Sequence, residues 1–134
     1  MKKLFILLLI LLFSSISNAQ SSSYICSKTE ISVYNNLLDK WETRVVEEDA
    51  NIKITIESNI IIIHAKAKSI ISVGKNISKK EEQDYTSDMF NAYDYESGET
   101  CKVCFIRNNV SGTLTLMVFK SLKSRELALT YELN

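Results

Sequence analysis

The run Asn51-Ile52-Lys53-Ile54-Thr55-Ile56-Glu57-Ser58-Asn59-Ile60-Ile61-Ile62-Ile63-His64-Ala65-Lys66-Ala67-Lys68-Ser69 decides the fold. Side chains along an extended chain alternate between two faces. Ile52, Ile54 and Ile56 therefore turn one way and Lys53, Thr55 and Glu57 the other, which makes a strand with one dry and one wet face. Ser58-Asn59 interrupts the alternation, and Asn59 can take the left-handed conformation that a tight hairpin needs. The second half places Ile61, Ile63, Ala65 and Ala67 on one face and Ile60, Ile62, His64, Lys66 and Lys68 on the other. Two such runs across a short turn predict an antiparallel hairpin.

The pattern extends in both directions. Cys101 to Arg107 leads through the turn-rich Asn108-Asn109-Val110-Ser111-Gly112 into Thr113 to Lys120, where Leu114, Leu116 and Val118 share a face. Glu126 to Leu133 sets Leu127, Leu129, Tyr131 and Leu133 against Glu126, Ala128, Thr130 and Glu132. Glu96-Ser97-Gly98-Glu99 reads as a turn between a strand ending near Tyr95 and the one through Cys101. Tyr24 to Tyr34 and Trp41 to Glu48 are rich in β-branched and aromatic residues but alternate less cleanly.

One segment reads two ways. Ser78-Lys79-Lys80-Glu81 matches a helix capping box, with Tyr85, Met89 and Tyr93 following at intervals of four. That predicts a short helix near 78–92. The other reading is a polar connection, Lys75 to Asp84, before a strand from about Thr86 to Tyr95. The fold class is all-β: an antiparallel meander of seven to eight strands in a small up-and-down barrel, closed and lipocalin-like or half-open. A two-sheet sandwich is the alternative.

The remaining sequence bounds the compartment and the class of partner. Met1-Lys2-Lys3, the apolar run Leu4 to Phe13 and the ending Ser17-Asn18-Ala19 have the order of a secretory signal peptide, with cleavage expected after Ala19. Residues 20–134 then form a single β-domain of 115 residues. A chain of this size buries about two-thirds of its unfolded surface and can stand without a disulfide. Loss of Lys2 and Lys3 leaves fourteen basic against sixteen acidic residues, a net charge of −2. That balance offers no electrostatic footprint for nucleic acid or an anionic membrane. After the signal the longest apolar run is Ile60 to Ile63, so no transmembrane segment is expected in the mature chain. The expected location is secreted or periplasmic.

Three cysteines follow the signal: Cys26, Cys101 and Cys104. An exported protein can keep disulfides, and an odd count allows one bridge with one thiol over. Tyr24 and Ile25 precede Cys26 where signal peptidase II needs small residues, so lipid anchoring is not expected. Cys101-Lys102-Val103-Cys104 is a C-x-x-C, but both flanks read as strand. Residues three apart in a strand face opposite sides with Cα atoms ~10 Å apart, whereas a disulfide needs them within about 7 Å. A thioredoxin-like site is thereby disfavoured. A bridge from Cys26 to Cys101 or to Cys104 stays open.

From Trp41 onward the chain resembles small secreted β-rich proteins of Bacteroidota, a group without an assigned activity. The resemblance runs over about residues 41–120. It is carried by Trp41, Asn51 to Ile56, Ile61-Ile62-Ile63, Ile71-Ser72-Val73, Asp94 to Val103 and Gly112-Thr113-Leu114-Thr115-Leu116. It implies export and a β architecture and brings no catalytic residues. Tyr93 stands where some of those proteins carry a second cysteine, so it implies no hairpin-spanning disulfide here.

Few residues suggest chemistry. His64, the single histidine, lies on the wet face with Lys66 and Lys68 and reads as solvated. No G-x-S-x-G elbow is present. Glu81, Glu82, Asp84, Asp88, Asp94 and Glu96 read as a solvated charge cluster, and the first four do not have the spacing of a calcium loop. A metal site would have only Cys26 and His64 to add to the C-x-x-C, and none is expected, nor is any cofactor. Tyr85, Phe90, Tyr93 and Tyr95 could line a ligand surface or fill the core. The expected function is non-catalytic binding of a protein or small-molecule ligand. The alternatives are a lipocalin-like carrier of a small apolar ligand and, further off, a secreted hydrolase using carboxylates such as Asp84 and Asp88.

Overall fold

The computed structural model describes residues 21–122 and 125–133. The signal-peptide reading of residues 1–19 lies outside the described residues. Among these there is no helix. Nine antiparallel strands form one sheet: β1 (Ser21–Asn35), β2 (Lys40–Glu47), β3 (Ile52–Glu57), β4 (Ile60–His64), β5 (Ser69–Glu81), β6 (Tyr85–Asp94), β7 (Glu99–Asn108), β8 (Leu114–Leu122) and β9 (Arg125–Leu133). The order is β2-β1-β3-β4-β5-β6-β7-β8-β9, and β9 also pairs with β1. The sheet thus curls until its last strand meets its first, a barrel-like form that removes most exposed edges.

The 15-residue β1 makes this closure. One edge takes β9 from Cys26↔Leu133 to Val33↔Leu127. The other takes β3 along Ser21 to Cys26 and β2 along Thr29 to Asn35. β2 and β3 lie end to end along β1, and the Ala50 N–H donates to the Ser27 carbonyl (3.0 Å) across the break between them. Asn51 sits there at φ 49°. β2 and the second half of β1 form a hairpin arm.

The alternation read from the sequence sets what lies inside. Ile54, Ile61, Ile63, Ile71, Val103, Leu116 and Val118 are fully buried, with Cys26, Ala92, Cys101, Tyr131 and Leu133 in the same cluster. The register explains why they meet. Ile54 faces Ile63, Ile61 faces Ile71, and Val103 faces Val118, in each case directly across a ladder. Such pairs are the unit of sheet stabilisation. Their Ile and Val side chains fill the centre of the barrel.

Several expectations need correction. Strands number nine among the described residues, not seven to eight, because β5 runs on to Glu81 through the segment read as a polar connection. One continuous sheet replaces the sandwich. The helix near 78–92 does not form: β5 and β6 pair there, from Ser78↔Met89 to Glu81↔Thr86. Tyr85, Met89 and Tyr93 mimic a helical spacing, but Thr86, Asp88, Phe90, Ala92 and Asp94 form a period-two series that the sheet uses. At the β3–β4 turn, Ser58 rather than Asn59 takes the left-handed conformation, φ 55°. Gly98 and Gly112, at φ 71° and 76°, hold the two later turns, and each donates its N–H back across the turn, to Asp94 and Asn108 respectively.

Candidate binding cleft

Trp41 lies at the start of β2, opposite Tyr34 of β1. Their rings meet edge to face at 5.3 Å between centroids. Tyr34 donates its hydroxyl to Asp39, and Asn35 accepts the Leu37 and Leu38 N–H groups, so the tip of the arm is tied to itself. The indole also reaches Phe119 of β8, 5.8 Å away, across two intervening strands. Ala128 of β9 is directly opposite Phe119 on one side and Ser32 on the other, and it is buried even though it belongs to the polar series of its strand. The arm therefore bends over β9, and an alanine beneath it leaves room for the two rings. A bulge between Ile31 and Ser32 allows that bend.

Beside this contact is a cleft of about 710 Å³, lined by Trp41, Met89, Lys102, Phe119, Lys120 and Glu126 among others. Trp41 keeps 41% of its surface exposed. The cleft combines an aromatic and thioether wall with a few polar and charged groups, the composition of a small-ligand site. Lys120 borders the cleft but spends its ammonium on a structural pair: it donates to Asp94 Oδ2 at 2.6 Å, and the side chain of Asp94 is almost wholly buried. The other Asp94 oxygen accepts the Glu96 N–H at 3.0 Å. Burial would raise the Asp94 pKa, but the hydrogen bonds from Lys120 and the Glu96 and Ser97 backbone, with the lysine charge, hold it below the ordinary carboxylate value. Cys101 shares the cleft wall. Burial pushes its thiol up, and the opposing Lys120 charge does not reverse that, so it is a poor nucleophile.

The residues singled out from the sequence do not gather in one place. Tyr93 and Tyr95 meet edge to face at 5.2 Å and are exposed at the end of β6. Phe90 packs against Phe105 at 6.2 Å beside the core cluster. Tyr85 lies at the opposite end of β6 from Tyr93. Cys26, Cys101 and Cys104 are buried free thiols. Cys26 donates to the Lys28 carbonyl. Cys26 and Cys101 belong to the core cluster, whereas Cys104 lies outside it, between Met89 and Met117 in the register. His64 is exposed. Among the described residues no three His, Cys, Asp or Glu side chains are grouped to hold a metal.

Two features escaped the sequence reading. Trp41 gives no site signal in the sequence because its strand alternates poorly, which follows from the bulge beneath the arm. Asp94 read as one more member of a solvated acidic cluster. Its place in the series Phe90, Ala92, Asp94 was the available signal that it points inward. Neither a family model, nor a curated protein, nor a solved structure matches the chain.

Proposed function

We propose that this chain is an exported, non-catalytic binding domain whose recognition site is the cleft beside Trp41. The supporting observation is a half-exposed tryptophan held against Phe119 over a 710 Å³ cleft. An aromatic ring kept rigid and partly exposed supplies contact area at little conformational cost. Export rests on the leader-like start of the chain.

The cleft suits a small ligand with a flat apolar face and a polar edge. The face would stack on Trp41 and Phe119, and the edge would meet Lys102 or Glu126. A lipocalin-like carrier would instead hold its ligand at the barrel centre, and the isoleucines and valines packed there count against that form.

Trp41 is the single tryptophan, so its emission reports directly on the cleft. Titration with a panel of aromatic, saccharide and peptide ligands is expected to shift that emission saturably for at least one class. Phe119→Ala is expected to weaken the response. Turnover of a generic hydrolase substrate panel by the purified protein would contradict the proposal.

A further inference from the structure

Among the described residues β2 has a hydrogen-bonded neighbour on one side only: its single partner is β1, and it ends the strand order. It is also the most apolar exposed strand: Trp41, Val45 and Val46 are 41%, 51% and 49% exposed. An open edge with apolar side chains is a template for another strand. We propose that β2 pairs antiparallel with β2 of a second copy of this chain, about a two-fold axis between Thr43 and Arg44.

The bulge selects this register. Val45 faces Ile31 and Thr43 faces Ser32, so Arg44 is the extra residue, and the faces exchange there. Trp41, Thr43 and Val46 consequently share one face of the arm, and Lys40, Glu42, Val45 and Glu47 share the other. Directly opposed residues in an antiparallel pair must lie on one face. Only an odd register meets that condition across the bulge. The register centred between Thr43 and Arg44 sets Lys40 against Glu47, Trp41 against Val46 and Glu42 against Val45 of the second copy. Two-fold symmetry repeats each pair. Two opposite-charge pairs and two aromatic–valine pairs result, with no like charges opposed. A register shifted by one residue would put Trp41 opposite Val45, on the wrong face.

An edge of this length makes a small interface, so the dimer is expected to be weak and concentration-dependent. Lys40 and Glu47 are exposed, and neither has an ion pair within the chain among the described residues. Charge reversal at either position should leave the monomer intact. Sedimentation velocity of the processed chain is expected to show monomer–dimer exchange with rising concentration. Lys40→Glu and Glu47→Lys alone each oppose like charges twice and are expected to weaken association roughly tenfold. The double variant K40E/E47K restores both pairs and is expected to return association to the parent level. Circular dichroism of each variant separates lost association from lost folding. A monomer at every concentration, or a dimer that neither single reversal weakens, would overturn the proposal. So would a double variant no better than the singles.

Discussion

Lys120 of β8 and Asp94 of β6 meet across the intervening strand β7, ammonium to carboxylate at 2.6 Å, with Asp94 sealed from solvent. The pair lies on the inner face of the sheet, in the side-chain series of Val118 on β8 and Ala92 on β6, opposite the face that carries Phe119. A buried carboxylate is tolerated only with its partners in place. Here they are one lysine and the turn backbone at Glu96. The Gly98 turn brings that backbone round.

Lys120→Ala is expected to destabilise the protein by about 3 kcal/mol, since it leaves a buried carboxylate without its counter-charge. The replacement K120A/D94A removes both charges and is expected to cost less than K120A alone. Urea unfolding of the two variants checks this.

The pH dependence has a definite sign. Asp94 titrates lower in the folded protein than in the unfolded chain. The folded state thus favours the ionised form, and the pair's contribution is complete above the ordinary carboxylate range near pH 4. It is lost as pH falls through the depressed folded value. D94N is expected to flatten the acid limb of a stability–pH profile recorded between pH 2 and 6 relative to the parent.

Tyr131 gives the opposite limb. Burial, with the nearby Cys26 and Asp94, pushes its hydroxyl up to about 12. The folded state therefore holds the proton more tightly, and this contribution is complete below pH ~10 and declines as pH rises toward 12. Absorbance titration at 295 nm is expected to show one tyrosine ionising after the exposed ones, and Tyr131→Phe is expected to remove that late step.

The three thiols bear on the question of a bridge. All are free and buried, and burial raises the pKa of each. Disulfide exchange reagents are expected to react slowly with native protein and to titrate three thiols per chain in guanidinium without reductant. One thiol per chain would mean that a bridge forms.

Much of this architecture was legible in the sequence where alternation is strict. Ile52 to Ile56 and Ile61-Ile63 specified both faces of the β3–β4 hairpin, and Leu114, Leu116, Leu129, Tyr131 and Leu133 specified the inner side of β8 and β9. What could not be read lies where the period breaks or a local signal competes. The capping-box pattern at Ser78 to Glu81 is a local preference that pairing with β6 overrides. The bulge at Arg44 exchanges the faces of β2, so a reading by strict alternation loses Trp41 there. The Trp41–Phe119 contact forms only through the curl of the sheet, and the Asp94–Lys120 pair only through its register, which no single segment encodes.

The central claim is that recognition uses the cleft beside Trp41 while the barrel centre stays filled. Methyl and amide NMR of the folded chain during titration with small aromatic fragments tests it most directly. Shifts are expected to be confined to the Trp41 indole, Phe119, the Met89 methyl and the Lys102 amide. Shifts centred on the Ile54, Ile61 and Ile63 methyls, with Trp41 unmoved, would place the ligand inside the barrel and contradict it.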